Sequence, residues 1–373
     1  MTFKIKWNII KKISKRGIEA INLLKKTVTV IIAVCMCFTL ICTNASAASQ
    51  RKTALLTSAG IQALRDEFDS DIAPKENGYA LDYCYYSPAG KNDNTKYPLV
   101  IFLHGIGHAD YVGSQLDDSD MPYWASAELQ SRFESEGAYI LLPRAPENKM
   151  VYWNTDLLEP LRAVIDDMIA KHGDNIDTTK IFISGSSAGG EMAWNMVTAY
   201  PEYFAGAFPI ASTGTVTADD IKACSDVAIW MIASTKDPAV NYTLVTTPLW
   251  NNVCKYNNNP ADCRLTTLTN VTEPAGNAAS DNHHMAKVIT YDLHMIDGST
   301  YPNATTVDGN GNTINLESPN GIISWMNSVS SDYSGEAIKG TGNTFVTIFE
   351  SFFNIIRNYA LKVVNIFQRL FGL

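Results

Sequence analysis

Charge, histidine and cysteine are all sparse in this chain. Of 373 residues, 18% are Asp, Glu, Lys or Arg, six are His and seven are Cys. No Cys-x-x-Cys pair and no His-rich spacing occurs, so the residue patterns of a zinc site are missing. Internal repeats are absent, which sets aside solenoids and propellers. After the first 30 residues no cluster of bases is present to displace counterions from a phosphate backbone, so nucleic acid is not an expected partner. With 46% hydrophobic residues, the composition also excludes a disordered polymer or a collagen-like chain.

What is there falls into three unequal parts. The formal net charge of -9 divides into eight Lys/Arg against one Glu in residues 1–47, 18 bases against 36 acids in residues 48–339, and three bases against one acid in residues 340–373. The first part sets Lys11, Lys12, Lys15, Arg16, Lys25 and Lys26 ahead of an uncharged apolar run, Val28 to Cys42, with Ala45-Ser46-Ala47 after it. That is the order of a secretory signal peptide, and the run, at about 15 residues, is shorter than the about 20 a spanning helix needs. Residues 1–47 are therefore expected to direct export, leaving a secreted chain from Ala48; the long basic head resembles the leaders of Gram-positive bacteria. At the other end a Gly/Ser-containing linker, 334–343, precedes residues 344–373. There Phe345, Phe349, Phe352, Phe353, Ile356, Tyr359, Val363, Ile366, Phe367 and Leu370 follow helical spacing among Glu350, Arg357, Lys362 and Arg369. The expectation is an amphipathic helix that either docks on the body or a partner, or lies peripherally in a membrane interface at the cell envelope.

Cys84, Cys224, Cys254 and Cys263 remain beyond the leader. Cys254 and Cys263 bracket a short polar loop whose closure suits a disulfide, whereas Cys84 and Cys224 flank strands and read as buried thiols.

Between the ends, short apolar runs alternate with helical periodicity. Strands are expected at Ala80 to Tyr86, Pro98 to Leu103, Ala138 to Leu142, Lys180 to Ile183, Gly206 to Ile210, Val227 to Ala233 and Arg264 to Leu268, and helices at Leu158 to Ala170, Gly189 to Tyr200 and Pro319 to Ser328. This pattern predicts one α/β domain over residues 48–333, with a mostly parallel central sheet and helices on both faces.

The chemistry is expected at the strand ends. In IFISGSSAGGEMAW a strand runs into Gly185-Ser186-Ser187-Ala188-Gly189 and then into a helix, the setting in which G-x-S-x-G exposes a serine hydroxyl on a strained turn. Ser187 is the candidate nucleophile. A serine needs a base and the base needs an acid. The run VAIWMIAS delivers Asp237 at its C-terminal end, the candidate acid. Of the histidines after it, His283 and His284 share the loop AASDNHHMAKV, and His294 lies beyond; adjacent histidines cannot both face one hydroxyl, so His283 and His284 are alternatives for the base. An oxyanion requires N–H donors, which Ala188 and, in the glycine-bearing loop PLVIFLHGIGHAD, Ile106 can supply. His104 reads as a structural histidine of that loop. His108, Asp110, Trp124 and Trp153 are candidate cleft residues; Trp194, on the helix after Ser187, reads as core, and Glu191 as an acid of its first turn. This chemistry calls for no metal and no organic cofactor.

At these residues the chain resembles secreted esterases of the α/β-hydrolase superfamily, the group that includes polyhydroxybutyrate depolymerase-like and feruloyl-esterase-like enzymes, also described as predicted peptidases. The likeness runs from about Tyr79 to Ser328, through YPLVIFLHGIG, LLPRAPEN followed by Trp153, NIDTTKIFISGSSAGGEMAW, YPEYFAGAFPIAS, IWMIASTKDPAV and NGIISWMNS. It implies an α/β-hydrolase fold, Ser187 as nucleophile, Asp237 as acid, His283 rather than His284 as base, and Ile106 with Ala188 as oxyanion donors. Relatives usually carry Gly before the base and often Trp soon after it; here Asn282 precedes and Met285-Ala286 follow. The expected activity is hydrolysis of a small or polymeric carboxylic ester through an acyl-enzyme. A prolyl-oligopeptidase-like peptidase and an inactive surface-attached binding protein are the alternatives.

Overall fold

The computed structural model describes residues 58–334 apart from 93, 118–120, 147–152, 213–215, 272–282, 287–302 and 316–320. The expected export signal, nearly all of the linker, the C-terminal helix and His294 lie outside the described residues. Among the described residues ten strands form one sheet: β1 (Asp69–Ile72), β2 (Asp82–Tyr86), β3 (Tyr97–Leu103), β4 (Tyr139–Pro143), β5 (Ile176–Ser186), β6 (Gly206–Ile210), β7 (Ala228–Ser234), β8 (Arg264–Leu268), β9 (Ala304–Asp308) and β10 (Thr313–Ile314). Their spatial order is β1-β2-β4-β3-β5-β6-β7-β8-β9-β10. Pairing is parallel from β4 through β3, β5, β6 and β7 to β8, and antiparallel at both flanks.

The central strands read as unbroken apolar runs because both of their faces are covered. Successive side chains go to opposite sides: Leu99, Ile101 and Leu103 of β3 enter one layer, and Val100 and Phe102 the other. The helices are α1 (Ser58–Arg65), α2 (Ala127–Gln130), α3 (Leu158–His172), α4 (Ala188–Ala199), α5 (Ala218–Ala223), α6 (Thr247–Tyr256) and α7 (Ile322–Ser328). Helices α3 to α6 cover the first layer with Leu161, Ile165, Trp194, Ile221 and Val253; α7 covers the second with Ile322, Ile323, Trp325 and Met326. Trp325 sets the spacing of that second layer. Its ring lies 5.6 Å from Trp230 and 6.0 Å from Phe182, and a Cβ on Gly206 would stand 2.8 Å from it. The architecture is thus the expected α/β one, with helices on both faces.

Differences from the sequence expectation fall at the sheet edges. β1 (DSDI) and β10 (TI) carry one apolar residue each, and β9 (ATTVD) is mostly polar, so their pairing leaves no apolar run to read. Polar, charged edge strands of this kind also resist pairing with other chains. The expected Cys254–Cys263 disulfide is a further correction, since Cys84, Cys224, Cys254 and Cys263 are all free thiols. Cys263 is fully buried, and burial pushes its thiol up to about 12, which suppresses the thiolate that disulfide formation requires. Among the described residues no helix is long and apolar enough to cross a membrane.

One buried group makes stability depend on pH. His172, at the end of α3, packs between the rings of Tyr85 (5.2 Å) and Tyr139 (5.5 Å), and its Nε2 is buried with no hydrogen-bond partner. Burial first, then the charges of Lys91 and Lys171, hold its pKa below the ordinary value, against the opposing pull of Asp167 and Asp69. A histidine kept neutral in the fold binds its proton more readily when unfolded, so its contribution is whole above the unfolded value of about 6.5 and fades as pH falls below that. His172→Phe, which suits the space between two tyrosines, is expected to shrink the loss of Tm between pH 7.5 and pH 5. Thermal melts at the two pH values check this, and an unchanged difference would remove His172 as the cause.

Candidate active site

Ser187 follows β5 and opens α4 with φ 56° and ψ -119°, a backbone conformation that L-residues avoid. Its surroundings enforce it. The Ser187 N–H donates to Ile210 O (3.0 Å) at the end of β6, and the Glu191 N–H donates to Ser187 O (3.0 Å) as the helix begins. The glycines around it are contacts rather than hinges. A Cβ on Gly185 would lie 2.3 Å from the Gly189 carbonyl, one on Gly189 would lie 2.1 Å from Leu103 O, and one on Gly190 would lie 2.9 Å from Gly185 O. Backbone therefore packs on backbone where β3, β5 and α4 meet. Ser187 is left partly exposed above them.

The loop after β3 lies against this turn, since a Cβ on Gly105 would be in ordinary contact with Ser186 O at 3.5 Å. Four of its carbonyls are tied outward. The Ala145 N–H donates to His104 Nε2 (3.1 Å), which places the ring proton on Nδ1, and Nδ1–H donates to Gly105 O (2.7 Å). Trp153 Nε1–H donates to His104 O (2.8 Å), Ser114 Oγ–H to His108 O (2.9 Å), and Arg144 Nη1–H to Ala109 O (2.8 Å). Arg144 is itself gripped by the carboxylate of Asp82 on β2. In a planar trans peptide the N–H points opposite to the C=O. Holding Gly105 O on the His104 ring thus turns the Ile106 N–H the other way, and Gly107 at φ +102° lets the chain continue.

Beyond β7, Asp237 is buried, its side chain 2% exposed. Its Oδ1 accepts the N–H groups of Ala239 (2.8 Å) and Val240 (2.9 Å), and His284 Nδ1 lies 2.8 Å from Oδ2. The expectation of His283 in this position is corrected: the carboxylate is met by His284, while His283 Nδ1 lies 3.2 Å from Ser234 Oγ at the end of β7. The two rings follow one another in a short 3-10 turn, His283–Met285, where successive side chains diverge, so only one can meet the carboxylate. With the Nδ1 proton directed at Asp237, the neutral ring of His284 carries its lone pair on Nε2.

Other expected residues sort as follows. Trp124 is corrected from cleft to core: it is fully buried, 4.7 Å from the ring of Phe102, in a turn, Met121–Ala125, whose every residue is buried. Trp153 is partly buried, its N–H and ring (5.1 Å from that of His104) bracing the loop after β3. Trp194 is core and His104 structural. His108 is buried within the same loop, and Asp110 is exposed on it. Ser234, Arg144 and Asp82 were not singled out in the sequence, although Arg144 stands in LLPRAPEN. A cavity of about 300 Å³ lined by Lys96, Gly173, Asp177 and Thr178 lies at the opposite, N-terminal end of β5, away from these groups.

The sheet order, the covering helices and the strand-end turn at Ser187 make this an α/β-hydrolase fold. No family model matches the chain. It is similar to a bifunctional acetylxylan esterase/xylanase of Neocallimastix patriciarum, 27% identical over 175 residues, 46% of this chain and 23% of that protein. It is also similar to poly(3-hydroxyalkanoate) depolymerase C of Paucimonas lemoignei, 41% identical over 142 residues, 33% of this chain and 29% of that one. The chain thus spans about a quarter of the length of these curated relatives. A thermostable esterase of solved structure superposes with a TM-score of 0.50 at 28% identity, over 59% of each chain.

The packing at the turn gives a direct expectation. Gly189→Ala forces a methyl into the Leu103 carbonyl, and removing that overlap would require β3 and α4 to separate. The variant is expected to lose at least about 3 kcal/mol of stability or fail to fold, as buried overpacking of this severity does. Chemical denaturation beside the wild type measures it, and a stability equal to wild type would show the contact to be yielding.

Proposed function

We propose that the protein is a secreted serine hydrolase that cleaves carboxylic esters through an acyl-enzyme, with Ser187 as nucleophile, His284 as base and Asp237 as acid. The pairing of His284 with Asp237 beyond the end of β7, two strands from a strand-end serine in a strained turn, is the observation that carries the reading. Only β6 separates β5 from β7, so the two strand ends lie about 10 Å apart, a gap that an imidazole bonded at both nitrogens suits. His284 Nε2 takes the proton as Ser187 Oγ attacks the ester carbonyl. The N–H groups of Ile106 and Ala188 receive the oxyanion. His284 then returns the proton to the departing alcohol, and water, activated by the same ring, releases the acid and restores the serine. Asp237 holds the ring in one tautomer and offsets its charge.

The relatives named for acetylxylan and poly(3-hydroxyalkanoate) favour an ester in a polymer or on one. In line with this, Tyr111 and Val112 in the segment after β3 and Leu244 in the short helix Tyr242–Thr246 after β7 are exposed apolar side chains at the nucleophile end of the sheet. On the same reading residues 1–47 export the enzyme, and residues 344–373 give it peripheral contact with the envelope. Turnover of short-chain aryl esters and labelling by a serine-directed phosphonate provide the test. Ser187→Ala and His284→Ala are expected to lower kcat/KM by at least about 1,000-fold, and His283→Ala by far less. Ester turnover in Ser187→Ala equal to wild type would remove the hydrolase reading, and loss with His283→Ala but not His284→Ala would exchange the two histidines.

A further inference from the structure

His284 sits in a short 3-10 turn, His283–Met285, and its ring is bonded to groups outside that turn. Two attachments of the turn come from the end of β7. One is Asp237. The other is Ser234, the last residue of β7, which is 1% exposed. Its Oγ accepts the N–H of Lys236 (3.3 Å), the residue before Asp237, and lies 3.2 Å from Nδ1 of His283, the residue before His284. A hydroxyl has one proton and two lone pairs, so it can serve both partners at once. His283 is 7% exposed, which makes a lost bond here costly.

We propose that Ser234 and His283 are positioning residues, a clasp that ties the acid loop to the base loop so that the His284 ring stays aligned on Asp237. This rests on the assignment of Ser187, His284 and Asp237 made above. An attachment one residue away, made by the same strand end, limits how far the imidazole can pivot about its bond to Asp237. His283 touches no substrate and transfers no proton in this scheme. It works by fixing the backbone from which His284 projects.

The test is a double-mutant cycle of Ser234→Ala and His283→Ala, with kcat expressed per phosphonate-titrated site so that misfolded protein does not enter. Each single variant is expected to lower kcat about tenfold with KM within about twofold of wild type, the mark of misplacement rather than weakened binding. Because both remove one and the same bond, the double variant is expected to lose about tenfold in total rather than about 100-fold. His283→Asn, whose amide stands near the place of Nδ1, is expected to recover most of kcat. Wild-type kcat in both single variants, multiplicative losses, or a rise in KM alone would overturn the clasp. If Ser187→Ala and His284→Ala are inactive while Ser234→Ala is unimpaired, the clasp alone fails. If His283→Ala is as inactive as Ser187→Ala, the assignment beneath it fails as well.

Discussion

The backbone contact between the start of α4 and the end of β3 is the constraint on which the rest of this site depends. A serine at φ 56° and ψ -119° costs roughly 1–3 kcal/mol, and such a residue persists only where its neighbours leave it no alternative. Here the neighbours are main chain: Gly185 on Gly189, Gly189 on Leu103 and His104, Gly190 on Gly185. No side chain could fill those places, so the G-x-S-x-G-G run is a statement about distance between three elements. The same closeness brings the loop after β3 against Ser186, and so places the peptide between Gly105 and Ile106 beside Ser187. Strain at one residue and proximity at the next are two results of one packing event.

That loop shows how amides are aimed without side chains that point at the site. His104, Trp153, Ser114 and Arg144 each hold a carbonyl of the segment from the scaffold side. Each bond fixes a peptide plane, and an N–H fixed in this way needs no reorganisation when charge develops in front of it, which is the condition under which dipoles stabilise an oxyanion most. The Arg144–Asp82 pair is best understood in the same terms. Both groups are largely buried, at 12% and 17% exposure, and a buried ion pair adds little net stability because both charges must leave water. Its forked geometry orients the remaining guanidinium N–H on Ala109 O, so what it provides is direction.

The central architecture was legible because its strands are buried on both faces and announce themselves as apolar runs. β1, β9 and β10 were not, since edge strands owe their existence to a neighbour's hydrogen bonds rather than to their own side chains. The strained strand-end turn at Ser187 and the place of Asp237 beyond a strand end were legible from local pattern. The histidine that meets Asp237 was not. His283 and His284 are equivalent to any argument from spacing, and the choice between them depends on a turn of three residues and on which strand-end acceptor each ring meets. Trp124 erred in the other direction: it is the residue type expected in a cleft, yet it fills the core. Residue type indicates what a side chain can do, and only packing decides whether it is placed to do it.

Burial divides this site into two zones with different tolerances. Asp237, His284, His283, Ser234 and the carbonyl-holding groups are enclosed, and each has partners that a substitution would strand, so the chemistry proposed for them has little room to vary. Tyr111 and Val112, in the segment after β3, and Leu244, in the short helix Tyr242–Thr246 after β7, are more than half exposed at the same end of the sheet. Tyr111 is nonetheless held, its hydroxyl donating to Asp117 (2.7 Å), which is paired with Arg65 of α1. An aromatic ring that is anchored at its tip and bare on its faces loses little entropy when something apolar settles on it. The physical logic therefore separates what is done from what is recognised: a fixed interior for the proposed attack on an ester, and a rim that can change without disturbing it.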